Sequence, residues 1–257
     1  MESMIRPLEV RMADRLRVRI YGSRQHLGAA AAMAVGAKMR ELLADQPRVR
    51  MVFAAAPSQN EFYEGLIQEQ GVDWSRVSAF HMDEYLGLAD DAPQKFGTYL
   101  SGRLFSKVKP GRVFLIDGSR GAREECLRYS GLLQEAPVDI VCLGIGENGH
   151  IAFNDPPVAD FADPAVMKPV ELELACRRQQ VHDGCFSRLD EVPTHALTLT
   201  IPALMAASHL FCMVPGPSKR KAVRQTLEGP VSVECPASIL RTHGNCTLFV
   251  DRDSYGD

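Results

Sequence analysis

Short apolar runs alternate with longer amphipathic stretches along most of this chain. Residues 16–21, 48–55, 76–80, 113–116, 138–143, 196–200, 209–214 and 246–250 are apolar or alternating, and each reads as a strand. Between them, residues 25–43, 59–70, 96–105, 120–134 and 215–227 have the composition of helices. This order predicts an α/β, doubly wound, mostly parallel sheet with helices on both faces, Rossmann-like and forming one domain over residues 1–257. Gly28 and Gly36 predict that the first helix packs closely on the sheet. Residues 160–190 have no firm period and are expected to form a long segment over the site, a lid.

One stretch departs from packing logic. Residues 138–157 read VDIVCLGIGENGHIAFNDPP, a buried strand running into Gly144, Gly146 and Gly149. Those glycines let the backbone turn tightly and approach a ligand at the strand's carboxyl end, where open α/β sheets place their sites. Glu147, Asn148, His150, Asn154 and Asp155 crowd the same turn, so it is expected to be an active-site loop. The glycines also satisfy the dinucleotide pattern G-x-G-x-x-G. That pattern must open a helix, however, and Pro156 and Pro157 forbid a regular one here. No cofactor is expected.

Other candidates lie at strand ends. Ser58 can N-cap the helix after the second strand, which would leave free N–H groups and a positive dipole end for an anion. Asp83 and Glu84 follow the third strand directly; if the backbone stays extended, at most one of them faces the site. Lys219 opens a helix start that can meet a phosphate.

Composition narrows the partner. A net charge of -3 and a pI near 6.2 argue against a nucleic-acid surface, so no nucleic acid is expected and the partner is small. No stretch reaches 18 uninterrupted apolar residues, so no membrane span is expected either. The N-terminus MESMIRPLEV lacks the apolar core of a secretory signal. Seven scattered cysteines without a C-x-x-C pair suggest neither a disulfide framework nor a zinc site, and point to a reducing cytoplasm.

HMDEYLGL at residues 81–88 and GIGENGHIAFNDP at residues 144–156 together resemble the glucosamine-6-phosphate deaminase family, whose fold is shared by 6-phosphogluconolactonases. The resemblance runs from about residue 52 to 251 and includes ALTLTIPALMAA and PGPSKRKAV. It implies a cofactor-independent aldose–ketose isomerisation and deamination of an amino-sugar phosphate, so the expected partner is a small-molecule sugar phosphate; a homo-oligomer is left open. Position by position, it implies that Asp83 moves a proton between C2 and C1 and that His150 opens the ring. Asp155 then supports His150, Asn148 falls where the family has Asp or Asn, and Lys219 and Ser58 hold the phosphate beside the Gly146 and Gly149 turn.

Three departures stand out. Asp155 is one methylene shorter than the usual Glu, a shortfall of about 1.5 Å in reach to His150. Asn148 is neutral and cannot balance an imidazolium. Residues 54–60, AAAPSQN, contain no glycine where the family's phosphate loop is glycine-rich. Nor is there a secure counterpart to the family's phosphate-binding arginine, although Arg177 and Arg178 lie nearby; Gln179, Gln180 and Asp183 give that segment a substrate-facing look. The rival activity is a lactonase, which needs no C2 base; another is an isomerase or deaminase for a different amino-sugar phosphate. A sugar-phosphate sensor ranks lower, because about 15 residues before the first strand are too few for a helix-turn-helix.

Overall fold

The computed structural model describes residues 5–256; the first four positions of the N-terminal stretch read as signal-free lie outside them. Eleven strands are formed among the described residues: β1 (Glu9–Ala13), β2 (Leu16–Tyr21), β3 (Val49–Phe53), β4 (Val77–His81), β5 (Asp83–Tyr85), β6 (Arg112–Val113), β7 (Ile140–Leu143), β8 (Met167–Glu171), β9 (His195–Leu199), β10 (His209–Val214) and β11 (Cys246–Asp251). Eight of them make one sheet in the order β1-β2-β11-β10-β7-β3-β4-β6, parallel throughout except at β1–β2. This is the expected α/β class. Strands β3, β4 and β7 are buried on both faces, which explains their unbroken apolar composition. One apolar cluster fills each face of the sheet.

The differences from expectation have physical reasons. Strand β1 was not anticipated, because four of its five residues are exposed and carry no buried-strand signature. β9 is a strand as expected but lies outside the main sheet. With β5 and β8 it forms a three-stranded antiparallel sheet in the order β5-β9-β8. The period-free stretch from 160 to 190 therefore contains ordered elements: β8 and the helix Leu174–His182.

Gly28 and Gly36 mark close packing on a helix rather than on the sheet. A Cβ at Gly28 would stand 2.5 Å from the Cβ of Glu61, in the helix Asn60–Gln68. The long helix Arg24–Asp45 is capped by Ser23, whose hydroxyl accepts from His26 N, and Arg24 grips Glu61 at 2.6 and 3.0 Å.

The connectivity positions the site. β7 sits between β10 and β3, the point where the strand order reverses, and the loops after β3, β4, β7 and β10 meet above these carboxyl ends.

Candidate active site

The loops enclose a cavity of about 70 Å³. Asp83 and His150 line it from separate strand ends, residues 54–58 and Lys219 line another wall, and Gln179, Gln180 and Asp183 close it from the helix Leu174–His182 and its end. The cavity opens to solvent beside that helix. The helix Leu174–His182 forms the roof of the cavity.

Asp83 and Glu84 are adjacent, and extended backbone sends them opposite ways, as expected. Glu84 turns into the protein and accepts from the backbone N–H of Tyr85, Phe96 and Gly97 at 3.0, 2.9 and 2.9 Å. It thereby fixes the start of the helix Phe96–Leu100. Asp83 faces the cavity and accepts no side-chain hydrogen bond from another described residue. Burial, reinforced by the charge of Glu84, lifts its carboxyl well above the ordinary carboxylate range. His81, two residues earlier, is structural. Its Nε2 accepts from Ile116 N at 2.8 Å, and burial pushes the imidazole down to about 3, so it stays neutral.

His150 is held by a dense polar network. Its Nδ1 lies 2.7 Å from Asn148 Oδ1 and 3.0 Å from Asp155 Oδ1. Asp155 reaches the imidazole despite its missing methylene, so the expected shortfall does not occur. The explanation lies in the turn: the 146–149 backbone folds back, with Gly149 N donating to Gly146 O and Gly146 N to His150 O. A Cβ on Gly146 would stand 2.1 Å from the His150 ring, and Gly149 has φ +86°, so both glycines serve this packing.

Asn148 also resolves its own departure. Its Nδ2 donates to Asp155 Oδ1 and Glu173 Oε2, each at 2.9 Å, while its Oδ1 accepts from His150 N. An aspartate there would place a third carboxylate against two others with no N–H between them. The neutral amide relays; Asp155 supplies the charge. Burial pushes the Asp155 carboxyl up, but the hydrogen bond and charge of His150 with the Asn148 amide outweigh it, and the group sits below its ordinary range. His150, Asp155 and Cys176 each bring a ligand atom within 4.8 Å of one another, a group able to hold a metal ion; His150 Nδ1 is already engaged there.

Ser58 lines the cavity but does not cap the helix. It sits inside a 3-10 turn, Pro57–Gln59, and Gln59 occupies the cap position of the helix Asn60–Gln68 without a side-chain bond. Gln59 is fully buried; its Nε2 donates to Met213 O at 3.1 Å and to Ser58 Oγ at 3.3 Å, tying the glycine-free loop to the end of β10. Lys219 is also buried in the wall; burial lowers its ammonium from the usual lysine range, opposed by the charges of Asp183 and Glu147. Neither neighbouring arginine joins them: Arg177 is spent on Leu189 O and Val192 O, and Arg178 is exposed outside the cavity. Sequence reasoning missed Gln59 and Glu173. The only signal for Gln59 was its place beside Ser58; Glu173 had none, because it lies 25 residues from Asn148.

Residues 22–249 match the family described as glucosamine-6-phosphate isomerases/6-phosphogluconolactonase. The chain belongs to this family. Among relatives, it is 37% identical to the glucosamine-6-phosphate deaminase of Listeria innocua over 202 residues, 78% of this chain and 84% of that one. It is 34% identical to the enzyme of the same name from Lactobacillus delbrueckii subsp. bulgaricus over 225 residues, 86% of this chain and 94% of the other. Among solved structures, a monomeric glucosamine-6-phosphate deaminase superposes with a TM-score of 0.85 at 30% identity, covering 93% of this chain and 98% of its own. A 6-phosphogluconolactonase from Thermotoga maritima superposes with a TM-score of 0.75 at 21% identity over 91% and 98%, a likeness of fold. The family's two activities thus meet on one architecture. No helix among the described residues is long and apolar enough to cross a membrane.

Proposed function

We propose that this protein converts glucosamine 6-phosphate and water to fructose 6-phosphate and ammonia. The observation that carries the reading is the pairing of Asp83 with His150 in one cavity, each delivered by its own strand end. With Nδ1 engaged, His150 has Nε2 free to take a proton from the anomeric hydroxyl and return one to the ring oxygen, opening the pyranose. Asp83 then removes the C2 proton of the open chain and delivers it to C1, which converts the aldose to a ketose imine; water adds at C2 and ammonia leaves. A carboxylate with raised proton affinity is a stronger base, and the ammonium on C2 favours its ionised form on binding. Lys219, Ser58 and the backbone of residues 54–58 are suited to the phosphate. Free cysteines throughout support a reducing cytoplasmic setting.

Lactone hydrolysis needs no base at C2, so a buried Asp83, costly to keep, would be without purpose there. The test follows ammonia, ketose phosphate and free acid separately on glucosamine 6-phosphate, galactosamine 6-phosphate and 6-phosphogluconolactone. Ammonia and fructose 6-phosphate released together from the first substrate are the expected result. Acid from the lactone alone would overturn the reading, and ammonia from galactosamine 6-phosphate alone would replace its sugar.

A further inference from the structure

A second cavity, of about 420 Å³, lies at the opposite end of the sheet from the active site. It opens where β2, β10 and β11 begin, beside the helix Arg24–Asp45. Arg15, Arg17 and Arg19 line it in a row. Alternate residues of a strand share a face and stand about 6.7 Å apart, so Arg17 and Arg19 are held on one side of β2. Their cross-strand neighbours are Thr247 and Phe249 on β11, and Met12 and Val10 on β1; none is acidic.

Among the described residues, no carboxylate comes within ion-pair distance of these three guanidiniums. The nearby acids are occupied elsewhere: Asp14 pairs with Arg241, and Glu41 with Lys38, which also lines the cavity. An uncompensated row of arginines is unexpected in a chain of net charge -3. The floor is rigid, because the Phe249 ring stacks between Tyr21 and Phe211, and the Arg19 guanidinium lies 5.8 Å from the Phe249 ring centroid. Met12, 55% exposed, lines the edge of the cavity, and Val10, 54% exposed, stands on the same face of β1 opposite Arg19.

We propose that this groove binds a small organic anion with two or more phosphate groups and an apolar or aromatic part, the chemistry of a nucleoside di- or triphosphate. Planar guanidinium forks match phosphate oxygens, and a row of three is longer than one phosphate spans. The cavity is of ligand size, and Met12 at its edge gives the non-ionic part an apolar surface to cover.

The experiment is calorimetric titration of the whole protein with ADP, pyrophosphate and inorganic phosphate. One ADP binds per chain, pyrophosphate binds more weakly, and phosphate more weakly still. Arg17→Gln/Arg19→Gln weakens ADP by about tenfold or more, the loss of charge-assisted bonds, while deaminase activity in the same preparation reports an intact fold. If that pair misfolds, the exposed single substitution Arg17→Gln carries the test, with a smaller loss expected. Lys219→Ala leaves ADP binding unchanged. No ADP binding at millimolar concentration, equal binding by the arginine variants, or loss only in Lys219→Ala would overturn the proposal. Pyrophosphate binding as tightly as ADP would overturn the apolar part of it.

Discussion

The floor and the roof of the active-site cavity are built differently. The floor is made of strand ends, and most of its polar side chains are buried in hydrogen bonds: Glu84 takes three backbone N–H groups, and Asn148 bonds His150, Asp155 and Glu173. The roof helix touches that floor through fewer bonds, Gln179 Oε1 accepting from Glu147 N at 2.8 Å and the exposed pair of His182 Nδ1 with Glu147 at 2.9 Å. Buried networks keep one geometry, whereas bonds at a solvent-lapped edge exchange with water at little cost. On the proposed function, the chemistry belongs to the floor and access to the roof.

The sharpest break of that division is Asp83→Asn. With no base for the C2 proton, kcat falls by about 10³-fold, within the usual range for a lost general base. Steady-state kinetics that retain a tenth of the parental kcat would remove Asp83 from the role. In the parent, kcat/KM rises with pH through the lifted Asp83 carboxyl, and this acid limb disappears in the variant. Stability moves the other way. A carboxyl whose folded pKa is raised above 3.8 stabilises the fold fully below that value, and the contribution is lost as pH rises through the raised one. Asp83→Asn accordingly melts higher than the parent at pH 8, with the gap narrowing toward pH 4.

The same division governs what was legible in the sequence. The floor residues are neighbours along the chain, so HMDEYLGL and GIGENGHIAFNDP displayed them as motifs, and the apolar runs located the strands that carry them. The opposite orientations of Asp83 and Glu84 followed from strand geometry alone. Long-range contacts left no such trace. Glu173 meets Asn148 across 25 residues and Glu147 meets Gln179 across 32, from a segment whose helix is too short and too polar to show a period. Asp155 was judged by side-chain length, but its reach to His150 is set by a backbone turn that sequence does not measure.

Lys219→Ala tests the wall between floor and roof. Removing a buried ammonium from an anionic substrate group raises KM by about 10- to 100-fold with kcat little changed, since binding remote from the chemistry is mostly uniform. An unchanged KM in the coupled assay would make the lysine a spectator. Glu173 joins the two regions, standing at the cap position of the roof helix while holding the amide that orients His150. Glu173→Ala lowers kcat by about tenfold, and Glu173→Gln, whose amide oxygen still accepts from Asn148, recovers most of it. If Gln is as slow as Ala, the negative charge rather than the hydrogen bond orients the imidazole.

The smallest effect is expected at the roof's edge. The His182 side chain is 65% exposed, so its contact with Glu147 is screened by water and salt, and exposed pairs contribute at most about 1 kcal/mol. His182→Ala should change KM by no more than about threefold, leave kcat alone, and behave like the parent at high ionic strength. A larger loss, with kcat falling alongside, would mean that closure of the roof completes the catalytic arrangement, and the separation of chemistry from access would fail at the residue where it predicts the least.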